Sequence, residues 1–134
     1  MIDIENDVFN LIATKARAAF PNASVASEYK ATPSAFPHVS IVMEEYGTYL
    51  RTRTGSCGEN HADVMFEVNV YSNKKSGKKS ECKKIAQFVH DEFIALGFEC
   101  PYFRPTPNID DNTIYRMTGR YRAVVSKDKT IYRR

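Results

Sequence analysis

Apolar residues Ile4, Val8, Leu11, Ile12, Ala16, Ala19 and Phe20 recur at steps of three and four. That spacing collects them on one side of a helix and predicts one over residues 3–20. Asp3 can cap its start, Glu5 and Asp7 suit the positive end of its dipole, and Pro21-Asn22 ends it. A second helical pattern begins near Ser76, with Cys82, Ile85, Ala86, Val89, Phe93 and Leu96 in one stripe. Gly97 stands where the C-terminal cap favours a residue without a Cβ.

Elsewhere the period drops to two, the signature of strands. Ser24–Lys30 is a short candidate, followed by the rigid connector ATPSAFP over 31–37. In His38–Tyr46, Val39, Ile41 and Met43 share one side. His38, Ser40, Val42 and Glu44 share the other. The clearest alternation is Ala62–Tyr71: Ala62, Val64, Phe66, Val68 and Val70 oppose Asp63, Met65, Glu67, Asn69 and Tyr71. Phe98–Arg104, Thr113–Ser126 and Thr130–Arg133 complete the strands. Helix, strands, helix, strands in that order predict a single α+β domain over 1–134, with both helices packed on one face of a mixed or antiparallel sheet. Its length of 134 residues suits one domain.

Two segments stand apart from the core pattern. Residues 47–60, GTYLRTRTGSCGEN, are long and polar, with glycines at 47, 55 and 58. Their first part can prolong the preceding strand, and their second part reads as a flexible arm tip. Tyr49, Arg51 and Arg53 alternate along this arm and are candidates for contact with a neighbour. In TIYRMTGRYRAVV, Ile114, Arg116, Thr118, Arg120, Arg122 and Val124 share a face, opposite Tyr115, Met117, Tyr121, Ala123 and Val125. This arginine stripe has two readings. It pairs across the sheet with Asp63 and Glu67 if the strands are neighbours, or it meets another subunit.

Composition narrows the class. Hydrophobic residues make 43% and charged residues 26%, as in a globular chain. The net charge of +3 makes the chain no polycation, so nucleic-acid binding would need local clustering. The acidic, amphipathic N-terminus does not read as a signal peptide, and no stretch reaches the ~20 apolar residues of a membrane span. Residues 72–84, SNKKSGKKSECKK, supply the one dense cluster: Lys74, Lys75, Lys78, Lys79, Lys83 and Lys84. All fall off the Cys82–Ile85–Val89–Phe93 stripe and therefore face solvent. Aromatic residues that stack on bases do not interleave with them, as they do in single-strand binders. A solvated helix face, an acidic protein partner and direct nucleic-acid contact rank in that order.

Catalytic signatures are missing. The chain has no HExxH, nucleophile elbow or phosphate-binding loop. Neighbours in a strand point to opposite faces, so Glu44 and Glu45 are not expected to form a carboxylate dyad. Asp110-Asp111 reads as turn chemistry. Cys57, Glu59 and His61 could share one side of an extended segment, yet no second cluster completes a four-ligand shell. Cys57, Cys82 and Cys100, odd in number and far apart, do not suggest a disulfide framework. No catalytic residue, metal or cofactor is expected.

Several phrases together carry a resemblance: PSAFPHVSIVMEE, RTRTG, ENHADVMFEVNVYSNKKSGKKSECKKIA, DEFIALGF and PNIDDNTIYRMTGRYRAVVSKDKTIYRR. Over roughly residues 30–134 the chain resembles small phage and prophage proteins labelled minor capsid proteins, which look like tail terminators of long-tailed bacteriophages. The resemblance implies a small α+β subunit that closes into a ring, usually of six. Such a ring caps the tail tube, stops its polymerisation and offers a surface to the head connector. Expected partners are copies of the chain, the tail tube protein and head–tail connector proteins. DNA passes through the channel without specific binding, no membrane is involved, and the place of action is the virion after assembly in the host cytoplasm. Interface candidates are Tyr49, Arg51, Arg53, Arg116, Arg120 and Arg122, with Lys74, Lys75, Lys78 and Lys79 facing an acidic partner away from the channel. A head-closure or neck ring is the alternative within the virion. A basic nucleic-acid-binding domain is the alternative outside it.

Overall fold

A computed structural model describes residues 3–28, 35–48, 61–107, 113–126 and 128–132. Helix α1 spans Glu5–Ala19 and α2 spans Lys78–Leu96. The strands are β1 (Ser24–Ala26), β2 (His38–Thr48), β3 (His61–Ser72), β4 (Glu99–Pro105), β5 (Tyr115–Ser126) and β6 (Ile131–Tyr132). They form one six-stranded mixed sheet in the order β1-β2-β3-β5-β4, with β6 also on β5. Among the described strands, only the β1–β2 pairing is parallel. The α+β architecture with both helices on one face is as the periodicities predict.

Local chemistry explains the helix ends. The Asp3 carboxylate accepts the Glu5 N–H at 3.0 Å, satisfying one of the donors a helix start leaves open. At the end of α2, Gly97 adopts φ 102°. Its N–H bonds Ile94 O at 3.0 Å, and the Phe98 N–H bonds Phe93 O at 3.1 Å. This is a Schellman cap, and its hydrophobic partner contact is the edge-on packing of Phe98 against Phe93, centroids 5.2 Å apart. Helix α2 therefore stops where its last buried ring is clamped, and β4 begins two residues beyond Gly97.

The core lies between the helices and one sheet face. Val8, Ile12, Ala13 and Ala16 from α1 and Cys82, Ile85, Val89 and Phe93 from α2 meet Val39, Ile41, Val64, Phe66, Val68, Tyr121 and Val125. Phe93 stacks on Tyr121 with centroids 4.4 Å apart and planes 9° from parallel. Between the helices, Phe20 packs edge-on against Phe88 at 5.5 Å, and Lys15 pairs with Glu92 at 3.0 Å. Leu11, expected in the α1 stripe, is 43% exposed, because the sheet and α2 meet α1 on the side of Ile12 and Ala13.

Some element bounds differ from the periodic reading. Strand β1 ends at Ala26, and β2 continues to Thr48, into the first part of the arm. Beyond Ser40, no strand among the described residues flanks this edge of β2. The Glu5 carboxylate fills part of the gap, accepting the Met43 N–H at 3.2 Å.

Candidate functional site

Both helices lie on one face, and the opposite face carries the polar halves of β2, β3, β5 and β4. Register brings them together: Glu67 faces Arg120, Met65 faces Arg122, Asn69 faces Thr118 and Tyr71 faces Arg116. The arginine stripe thus sits beside the acidic face of β3, as cross-strand pairing requires.

This face has two chemically different halves. Toward the C-terminal end of β3 it is closed and internally bonded. Asn69 and Thr118 are buried. The Asn69 Oδ1 accepts from Thr118 Oγ1 at 2.8 Å and from Arg116 Nε at 2.9 Å, and Thr106 Oγ1 donates to Thr118 Oγ1 at 2.7 Å. Arg116 also lies over the Tyr71 ring, 5.6 Å from its centroid. Ser40 Oγ donates to Glu28 O at 2.8 Å.

The other half is open. Between Met43 and Glu45 the β2–β3 register shifts by one residue. A bulge of this kind breaks the alternation of side chains. The expectation that Glu44 and Glu45 point to opposite faces therefore fails: both line a cleft of about 540 Å³ together with Asp63, Met65 and Arg122. Glu44 shares a hydrogen bond with Glu67, and that bond, some burial and the Glu67 charge raise its pKa against the opposing pull of Arg120. Arg120 Nε stands 4.0 Å from Glu67 Oε1. No ion pair of Arg122 is seen among the described residues.

Sequence reasoning missed two members of this face. Tyr102 on β4 carries guanidiniums over its ring, Arg104 at 4.6 Å and Arg120 at 5.0 Å. Hydrogen bonds from Arg104 and Thr106 and the nearby positive charge lower its pKa. The available signal was parity: Tyr102 and Arg104 alternate, so one sheet face takes both. Glu44 was read on the correct side of β2, but its carboxyl partner lies on another strand.

The lysines lie apart from the arginine stripe, at the start of α2. Lys74, Lys75 and Lys79 are exposed, whereas Lys78 is half-buried and donates to Thr113 O at 3.0 Å. Lys74 and Lys84 line a groove of about 760 Å³ between the end of α1, Phe36-Pro37 and α2. Glu81 in the first turn offsets part of their conflict with the helix dipole, and its carboxylate accepts from Ser72 Oγ at 2.7 Å. His90 packs between Phe103 and Tyr121, with Nδ1 3.1 Å from the Tyr121 hydroxyl. Tyr49, Arg51 and Arg53, like Cys57 and Glu59, fall outside the described residues. Among the described residues no group of three His, Cys, Asp or Glu is placed to hold a metal, and no helix is long and apolar enough to cross a membrane.

No protein-family model matches the sequence, and no curated protein matches it.

Proposed function

We propose that the chain is a virion structural subunit: a tail terminator that caps the tail tube of a long-tailed phage as a ring and joins it to the head connector. Beyond the phrase resemblance over residues 30–134, one observation carries this reading. The sheet face away from the helices ends in an open half where Glu44, Glu45, Arg120 and Arg122 carry both signs of charge. A face of that kind works by complementarity to another protein surface. Ring closure needs a heterologous contact, one patch of each subunit on a different patch of the next. Arg120 and Arg122 are the stripe members open to such contact, while Arg116 is tied into the closed half.

The test is assembly. Phage particles made without the protein should show overlong tails that fail to join heads, and adding the purified protein should restore both. Light scattering of the protein with tail tube protein should register a multi-subunit complex. Tails of normal length joined to heads in its absence would end the proposal.

A further inference from the structure

Strand β3 separates two patches of opposite charge. At its start, the bulge in β2 brings Glu44 and Glu45 beside Asp63 in one cleft, with Arg122 as the only cation among the described lining residues. At its end, the chain turns into α2 through exposed Lys74, Lys75 and Lys79. From Met65 to Ser72 alone there are seven residue steps, ~23 Å at ~3.3 Å each. Exposed charges are screened within ~8–10 Å at ordinary ionic strength, so the two patches do not neutralise each other within one chain.

We infer that the chain docks on a second copy of itself head to tail, the lysines at the start of α2 entering the neighbour's Glu44–Glu45–Asp63 cleft. This deepens the ring reading and rests on it only for closure of the contact into a ring. Complementary patches at opposite ends of one strand make each subunit donor to one neighbour and acceptor to the other. Glu44 at the edge of this cleft also reaches Glu67: the two carboxyls share a hydrogen bond, and Arg120 partly offsets their repulsion. An incoming ammonium relieves that crowding. Lysines suit the task, being compact point charges on flexible stems.

The experiment is sedimentation of the full chain at low and high salt, with charge reversals. The wild type should self-associate at low salt and dissociate at high salt. Lys74→Glu/Lys75→Glu/Lys79→Glu and Glu44→Lys/Glu45→Lys should each stay monomeric alone, and an equimolar mixture, complementary at both contacts, should co-assemble. Glu44→Gln/Glu45→Gln, the milder change, should weaken association if the reversal perturbs folding, which circular dichroism reports. A wild type that remains monomeric at every salt concentration, a reversed variant that associates like the wild type, or a mixture that stays monomeric overturns the docking. Tail assembly with the same variants separates this from the function. Variants that associate normally and still terminate tails sink the docking alone. Variants that behave as predicted in solution, in a protein whose loss leaves tails normal, sink the terminator reading alone.

Discussion

Glu67 on β3 and Arg120 on β5 are direct partners across the sheet, with Arg120 Nε 4.0 Å from the Glu67 carboxylate. The pair itself contributes little, about 0–1 kcal/mol, because the Arg120 side chain is 47% exposed. Its consequence is for Glu44. That residue reaches Glu67 from β2, so one guanidinium faces two carboxyls, and the second carboxyl keeps its proton more readily.

Glu44 therefore gives stability an acid-side bias. Its folded pKa is raised, first by the hydrogen bond to Glu67, then by burial and the Glu67 charge. The folded chain holds this proton to higher pH than the unfolded chain, so the stabilisation is fully present below the ordinary carboxyl value. It is lost as pH rises through the folded value. Asp63, Glu45 and Arg122 share the cleft and set its background charge. Glu44→Gln should keep a hydrogen-bond donor without the charge. The expected outcome is a higher melting temperature than wild type at neutral pH and a shrinking difference toward pH ~4. Equal pH profiles for the two proteins would refute the coupling.

The closed half of the same face makes a second prediction. Asn69 Oδ1 is the common acceptor for Thr118 Oγ1 and Arg116 Nε, and Asn69 and Thr118 are almost fully buried. Asn69→Ala removes that acceptor beneath a closed surface and should cost about 1–3 kcal/mol. Thr106→Val removes only the outermost donor of the chain and should cost less, ~0.5–1.5 kcal/mol. Urea denaturation of both variants checks the order.

Cysteine reactivity supplies a third. The Cys82 thiol is buried in α2 and donates to Val70 O at 3.1 Å. Desolvation pushes its pKa up to about 12. Only the thiolate reacts readily, so at neutral pH native Cys82 should resist alkylation until the chain unfolds. Peptide mapping after iodoacetamide treatment, with and without denaturant, reads this directly. Prompt labelling of Cys82 in the folded protein would show that α2 does not hold it as described.

The two faces of β3 and β5 were legible in the sequence because burial against the helices enforces a period of two, clearest in Ala62, Val64, Phe66, Val68 and Val70, although Met65, Asn69, Tyr71 and Thr118 on the other face are buried as well. The Gly97 cap was legible for a similar reason: a local backbone need selects the residue. The bulge was not, since one residue out of step in Met43-Glu44-Glu45-Tyr46 leaves the composition unchanged, and only pairing with β3 reveals it. For the same reason the Glu44–Glu67 bond, the Asn69 network and the approach of Arg120 to Tyr102 could not be read. Each depends on which strands become neighbours and in what register, which are long-range choices. Leu11 shows the limit even within a helix: a stripe defines an arc, and the docking partner decides which edge of that arc stays wet.

Gly119 tests a close approach in the core. It lies mid-strand in β5, opposite Phe103 of β4 and Val68 of β3, so its role is close approach rather than an unusual backbone angle. A Cβ placed there would stand 2.7 Å from the Tyr121 hydroxyl oxygen, 2.9 Å from Cε2 and 3.0 Å from Cζ. Tyr121 cannot easily swing aside: it is 1% exposed, stacked on Phe93 at 4.4 Å, and within 3.1 Å of His90 Nδ1 through its hydroxyl. Gly119→Ala should therefore overpack the core and cost about 1–3 kcal/mol. Tyr121→Phe deletes the nearest of the three clashing atoms but leaves the ring carbons. The double variant should consequently be more stable than the sum of the single losses predicts, a coupling that a double-mutant cycle measures. If Gly119→Ala melts with the wild type, or if the two losses simply add, the ring does not pack across the glycine as the structure has it.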